Sequence, residues 1–181
     1  PNLLRTYCKP VGIAVETVDF DLNTGQIDME EFRRKITKET AGVYVENPNF
    51  FGVLEETIDE VAEKTHQNGA LLIAGVDPIS LGVIKPPGEY GVDIVVGEGQ
   101  PLGLHMNGGG PLIGIFATRN EPSLIRQMPG RIIGATTTED GSRQGFTMVM
   151  QTREQHIRRS NATSNICTNE SLLAVRIAVY L

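Results

Sequence analysis

Cysteine is almost missing from this 181-residue chain: Cys8 and Cys167 are the only two, and no C-x-x-C occurs. A disulfide scaffold or a zinc knuckle is therefore not expected. Histidine is equally sparse. His66, His105 and His156 fit no metal-ligand spacing, which argues against metal catalysis, and Cys167 has no evident base partner to make it a nucleophile. There is no G-x-S-x-G elbow and no G-x-x-x-x-G-K-[ST] loop, so neither an α/β-hydrolase nor a P-loop reading holds. No apolar run approaches the ~20 residues of a membrane span, and no secretory leader pattern opens the sequence; the cytoplasm is the expected location. Asn161-Ala162-Thr163 and Asn169-Glu170-Ser171 match a glycosylation acceptor, but with no other sign of secretion both read as chance.

Positive charge is also short. Sixteen Lys and Arg face twenty-two Asp and Glu, a formal net charge of −6, which speaks against nucleic acid as the main partner. Arg153, Arg158 and Arg159 do cluster, leaving a local anion site open. The lysines are Lys9, Lys35, Lys38, Lys64 and Lys85, with none beyond residue 85. That scarcity matters for any chemistry that needs a Schiff base.

What remains is an ordinary globular composition, 40% apolar and 21% charged, long enough for one domain with a real core. The chain opens on Pro1 and stops at Leu181 within an apolar helical pattern (Leu172, Leu173, Val175, Ile177, Val179) that no Gly or Asn caps. We read residues 1–181 as a single partial domain cut from a longer polypeptide.

Periodicity divides the chain into alternating elements. Ile13–Val18 is β-branched and predicts a strand. Asp28 can cap a helix with Glu31 three residues on and Met29, Phe32 and Ile36 on one face. Gly42–Val45 predicts a short buried strand that Asn47-Pro48-Asn49 breaks. Leu54, Ile58, Val61 and Ala62 mark a second amphipathic helix ended by Asn68-Gly69. Strands are predicted at Ala70–Ala74, Ile94–Val96, Leu112–Ala117 and Phe146–Met150. The region 122–145 reads as mostly irregular with a short helix near Leu124. Gln151–Arg159 begins a helix, and Thr168 or Asn169 can cap the last one. Strands alternating with helices imply right-handed βαβ units and a mainly parallel sheet, with ligands at the carboxyl ends of strands.

Three motifs invite chemistry. Gly97-Glu98-Gly99 with Gly103 is one residue too long for a dinucleotide fingerprint and lacks a following helix. Gly108-Gly109-Gly110-Pro111 is either a flexible turn or an active-site loop packed on a neighbouring chain. Asp77 is either a turn residue before Pro78 or a carboxylate that holds a pyridinium nitrogen; the second role needs a lysine, and Lys85 is the only candidate close in sequence.

Longer runs carry a family resemblance. They are Val43-Tyr44-Val45-Glu46-Asn47-Pro48-Asn49-Phe50-Phe51-Gly52, Val76-Asp77-Pro78-Ile79-Ser80-Leu81-Gly82, Lys85-Pro86-Pro87-Gly88-Glu89-Tyr90-Gly91 and Asp93-Ile94-Val95-Val96-Gly97-Glu98-Gly99-Gln100. Arg126-Gln127-Met128-Pro129-Gly130-Arg131, Gln151-Thr152-Arg153-Glu154-Gln155-His156-Ile157-Arg158-Arg159 and Ala162-Thr163-Ser164-Asn165-Ile166-Cys167-Thr168-Asn169 continue the series. In this order they resemble glycine decarboxylase, the P-protein of the glycine cleavage system, in its subunit 1 or amino-terminal half.

The resemblance implies an α/β fold: the central part of the large domain of an aspartate aminotransferase-like, pyridoxal-phosphate-dependent transferase of type I. The amino-terminal region and the smaller carboxyl-terminal domain would be absent. It implies that pyridoxal 5'-phosphate is bound by the partner, the lysine-bearing P-protein subunit 2 or carboxyl-terminal half. Counted back from Pro111, the partner's lysine position falls on Gln100 here, so the chain would hold no catalytic residue and be silent alone. Asp77 matches the ring-nitrogen aspartate as a vestige. Gln100, Asn107, Arg153, His156 and Asn165 would form an interface or active-site wall. Glycine and the lipoylated H-protein would be the other partners, in a heterotetramer of paired halves. His105, Gly108 and Leu112 depart from the family's usual Pro, Phe and Tyr, which loosens that loop. Two other readings stay open: a non-catalytic scaffold or binding module, and a stand-alone pyridoxal enzyme using Lys85.

Overall fold

The computed structural model describes residues 2–106, 108–162 and 170–181, in two compact units, residues 1–96 and 97–181. The first unit begins with α1 (Asn2–Cys8), which buries none of its residues. The expected strand at Ile13–Val18 is instead extended chain. Its backbone groups are bonded elsewhere: the Ile13 amide donates to Cys8 O at 3.1 Å, and Lys35 Nζ donates to Thr17 O at 2.5 Å. β-branched residues favour an extended backbone, but a strand also needs a partner, and the pairing here is one bridge, Phe20 to Ile27.

Helix α2 (Met29–Lys35) forms where its cap requires it. The Asp28 carboxylate accepts from the Glu30 and Glu31 amides, two of the donors a helix start leaves unmet. Glu31 does not reach back to its own cap; it accepts from the Asp19 amide at 2.5 Å and pairs with Lys35 at 2.8 Å. Strand β1 (Gly42–Glu46) runs parallel to β2 (Leu71–Val76), from Gly42 opposite Leu71 to Glu46 opposite Gly75. Helix α3 (Ile58–Gln67) makes the crossover, which parallel pairing demands. It starts later than Leu54 and ends where expected, with Asn68 as cap and Gly69 at φ 79°.

The core lies between α2, α3 and the sheet. Val45 of β1 and Leu72, Ala74 and Val76 of β2 cluster with Phe32, Ile58, Val61 and Ala62, closed by Tyr90 and Val92. The alternate residues Tyr44 and Glu46 face away and are exposed, as a period of two requires. Strand β3 (Ile94–Glu98) starts beside β2 through a buried carboxylate. Asp93 is 1% exposed; one of its oxygens accepts from the Leu72 amide at 2.7 Å and lies 3.0 Å from His66 Nε2. The Asp93 amide donates back to Leu72 O at 2.9 Å. A buried carboxyl group is tolerated there because these polar partners replace water.

In the second unit, β4 (Gly114–Thr118) and α4 (Pro122–Ile125) are followed by an antiparallel hairpin, β5 (Ile132–Thr137) and β6 (Gln144–Val149), in register from Ile132 opposite Val149 to Thr137 opposite Gln144. Reading residues 122–145 as mostly irregular therefore missed β5. The hairpin turn is built on Asp140, whose carboxylate accepts from Thr138 Oγ1 at 2.5 Å and from the Ser142 amide at 3.1 Å; these bonds pull it down to about 2. The helix expected over Gln151–Arg159 is broken. Met150 sits at φ 55° and Glu154 is extended at ψ 153°, so only a 3-10 turn at Gln151–Arg153 and the single turn of α5 (Gln155–Arg158) form. The last helix, α6 (Ser171–Tyr180), follows Glu170, which gives no side-chain cap; the expected caps Thr168 and Asn169 fall outside the described residues.

Candidate functional site

Two groups of residues at strand ends hold the candidates, one in each unit. In the first unit, the loop after β1 is built on a polar hub. Asn49 Oδ1 accepts from the amides of Phe51 (3.0 Å) and Val53 (3.2 Å). Its Nδ2 donates to Gly25 O at 2.7 Å and to Glu55 Oε1 at 2.9 Å. Glu55 is 4% exposed; its other oxygen accepts from the Ile27 amide at 2.9 Å, and its own amide donates to Asn47 Oδ1 at 3.3 Å. Tyr90 is raised by burial, an effect opposed by its hydrogen bond to Asn47 and reinforced by Asp59. The sequence pointed to this loop only as a break. The long-range partnership of Asn49 and Glu55 with residues 25 and 27 has no local signal.

Asp77 follows β2 directly. Its carboxylate accepts from the Ile79 amide at 3.0 Å, and its carbonyl accepts from Ser80 Oγ at 2.7 Å. This is the bonding of a turn residue. Lys85, the only lysine candidate near it in sequence, is 3.3 Å from Asp59 Oδ1 and 5.9 Å from the Tyr90 ring centre.

In the second unit, Gln100 lies in a loop held by close backbone approaches. The Gly99 amide donates to Ile113 O at 2.8 Å, and a side chain at Gly99 would meet Ile113 and Ile177 at 2.9–3.0 Å. Gly103, at φ 80°, faces the Tyr180 ring 2.6 Å from where a Cβ would stand. Glycine is required at both positions. Gln100 itself is held locally: its amide donates to Glu98 Oε1 at 3.0 Å and its Nε2 reaches Leu104 O at 3.5 Å.

Arg153 is 6% exposed. Its guanidinium donates to Met128 O and, at 2.7 Å, to Gly130 O, tying the 128–130 turn to the segment after β6. Its Nε has no hydrogen-bond partner among the described residues. Beside it Glu154, 7% exposed, pairs with Arg131 at 3.5 Å. His156 is exposed on α5, so the two candidates share a short segment but not an environment. Asn107 and Asn165 lie outside the described residues.

The whole chain, residues 1–181, matches the family described as the glycine cleavage system P-protein. The chain belongs to that P-protein family. Among P-protein relatives, the probable glycine dehydrogenase (decarboxylating) subunit 1 of Staphylothermus marinus is 59% identical over 99% of this chain and 38% of its own length. That of Pyrococcus abyssi is 54% identical over 99% of this chain and 39% of its own. The chain thus spans about two-fifths of the length of these relatives. A crystal structure of glycine decarboxylase (P-protein) of the glycine cleavage system in inhibitor-bound form superposes with a TM-score of 0.85 at 44% identity, covering 99% of this chain and 39% of that one. A cystathionine gamma-lyase structure from Lactobacillus plantarum, complexed with L-serine, shares the fold at a TM-score of 0.52 and 23% identity over 68% of this chain. The α/β architecture is that of the aminotransferase-like large domain expected from the P-protein resemblance.

Covalent attachment of pyridoxal phosphate does not fit the residues present. The loop after β3 offers the carboxamide of Gln100 and no lysine, and a carboxamide cannot form a Schiff base. Four of the five lysines have partners, Lys35 on Thr17 O and Glu31, Lys38 on Gln67 O, Lys64 on Gln67 and Lys85 on Asp59, and Lys9 lies on the 3-10 turn after α1. Asp77 spends its carboxylate on its own turn.

Proposed function

We propose that this chain is part of the non-lysine-bearing subunit of glycine dehydrogenase (aminomethyl-transferring, decarboxylating). In this reading it acts only with a lysine-bearing companion that holds the cofactor. Together they decarboxylate glycine and pass the aminomethyl group to the lipoyl arm of the H-protein, in the cytoplasm. Electron withdrawal into the pyridoxal ring would be the companion's contribution; this chain supplies shape. Gln100, Asn107, Arg153, His156 and Asn165 are the residues we assign to the interface or the wall of the site.

The observation that carries the reading is the carboxamide at Gln100 on a loop that still needs glycine at positions 99 and 103. Such a loop keeps its backbone course without the amine. The test is glycine–bicarbonate exchange. We expect exchange when this chain, the lysine-bearing subunit and lipoylated H-protein are mixed, and none from this chain with H-protein alone. Exchange by this chain without the companion would overturn the reading in favour of a Lys85 enzyme. A mixture no more active than the companion alone would leave the chain a scaffold.

A further inference from the structure

We propose that Asn68-Gly69, the dipeptide that ends α3, is a deamidation site which the His66–Asp93 contact keeps closed in the folded chain. The reaction needs only water and base. The Gly69 amide nitrogen gives up its proton to solvent base and attacks Asn68 Cγ. The new N–Cγ bond forms as Cγ–Nδ2 breaks, and Nδ2 takes a proton from solvent and leaves as ammonia. Water then opens the succinimide at either carbonyl, which leaves aspartate or isoaspartate at position 68; nothing is oxidised or reduced. Asparagine is a thermolabile residue, and a following glycine has no Cβ to shield the attacking nitrogen. Gly69 is exposed to water, and beyond its chain neighbours no described atom lies within 4 Å of where its Cβ would stand.

The folded geometry closes the site. The Gly69 amide, which is the nucleophile, donates to His66 O at 2.9 Å. Asn68 Nδ2, which is the leaving group, donates to Lys64 O at 2.9 Å. Asn68 stands at φ −90° and ψ −3°. Ring closure needs ψ rotated until the Gly69 nitrogen lies over the Asn68 side chain, and that rotation breaks the bond to His66 O. The Ala70 amide, donating to Thr65 O at 3.1 Å, must give way with it, because the two bonds together make the turn that ends the helix.

His66 holds this turn from outside. Its Nε2 lies 3.0 Å from Asp93 Oδ2, the same oxygen that accepts from the Leu72 amide at 2.7 Å. The last turn of α3 is thereby tied to the starts of β2 and β3. Opening of this one turn, rather than of the whole fold, then sets the rate of the reaction. The side chain that controls it is neither of the two residues that react.

The test incubates the intact chain at one mildly alkaline pH, in buffer and in urea, and maps its peptides by mass. The gain from amide to acid, and the isoaspartate product, are read at Asn68 separately from Asn107-Gly108. We expect the reaction at Asn68 to be slower in buffer than in urea by about tenfold or more. His66→Ala should speed it several-fold in buffer while urea melts show the chain still folded. His66→Gln, which keeps an N–H for Asp93, should stay near the native rate. Equal rates in buffer and urea would overturn the proposal, and so would a native rate in a folded His66→Ala. Hydrogen exchange in the native chain decides the matter if His66→Ala does not fold. The Gly69 amide should exchange faster than that of Leu72, because only the turn need open; equal protection of the two would mean that the site opens only on global unfolding, and would overturn the proposal.

Discussion

Tyr44 lies against Gly75 of the neighbouring strand. A Cβ at Gly75 would run into the Tyr44 hydroxyl and come within 3.1 Å of its ring and of Glu46 Cγ. The phenol donates to Glu46 Oε1 at 3.0 Å. Partial desolvation of this half-exposed side chain against β2 first, and then the Glu46 carboxylate, push its pKa up to about 12. The folded state therefore favours the neutral phenol. Its contribution to stability is complete below the ordinary value of 10.0, and is lost as pH rises from there through about 12. Absorbance titration should show Tyr44→Phe removing a phenol step near pH 12, and Glu46→Gln shifting that step lower without bringing it down to the ordinary value, because partial burial remains. A step unmoved by Glu46→Gln would show that the carboxylate has no part in it. At this scale the turn role of Asp77 before Pro78 was readable, since its carboxylate accepts from the Ile79 amide two residues on. The sequence was silent on Glu55 and Arg153, whose burial depends on carbonyls and amides more than twenty positions away.

Among the elements, those with a local reason were legible. Asp28 starts α2, Asn68-Gly69 ends α3, and the apolar run from Leu71 makes β2. Those depending on a partner were not. Ile13–Val18 has strand composition but no ladder, whereas Ile132–Thr137 becomes a strand because β6 returns beside it after the Asp140-Gly141 turn. Met150 and Glu154 break a helix that periodicity alone would continue. The β1–β2 pair offers a quantitative check. Gly75→Ala should destabilise the fold by no more than about 1 kcal/mol, since the added methyl displaces the outer end of the half-exposed Tyr44 ring rather than backbone. Paired with Tyr44→Ala, most of that loss should disappear in a double-mutant cycle. Additive effects in urea melts would mean that the ring does not explain the glycine.

For the whole molecule, family membership follows from a match along residues 1–181 and the fold from a superposition over 99% of the chain, while the chain covers only 38–40% of its curated relatives. The activity proposed is accordingly that of an assembly, with this chain as the partner that lost its amine. The direct measurement is to incubate the purified chain with pyridoxal phosphate, reduce with borohydride, and weigh the intact protein. With a carboxamide at Gln100 and no lysine beyond residue 85, the chain should keep its mass unchanged at stoichiometric cofactor. The lysine-bearing companion, treated alike, should gain one reduced pyridoxyl group. One such group on this chain, lost in Lys85→Ala, would contradict the companion role and make the chain a pyridoxal enzyme in its own right.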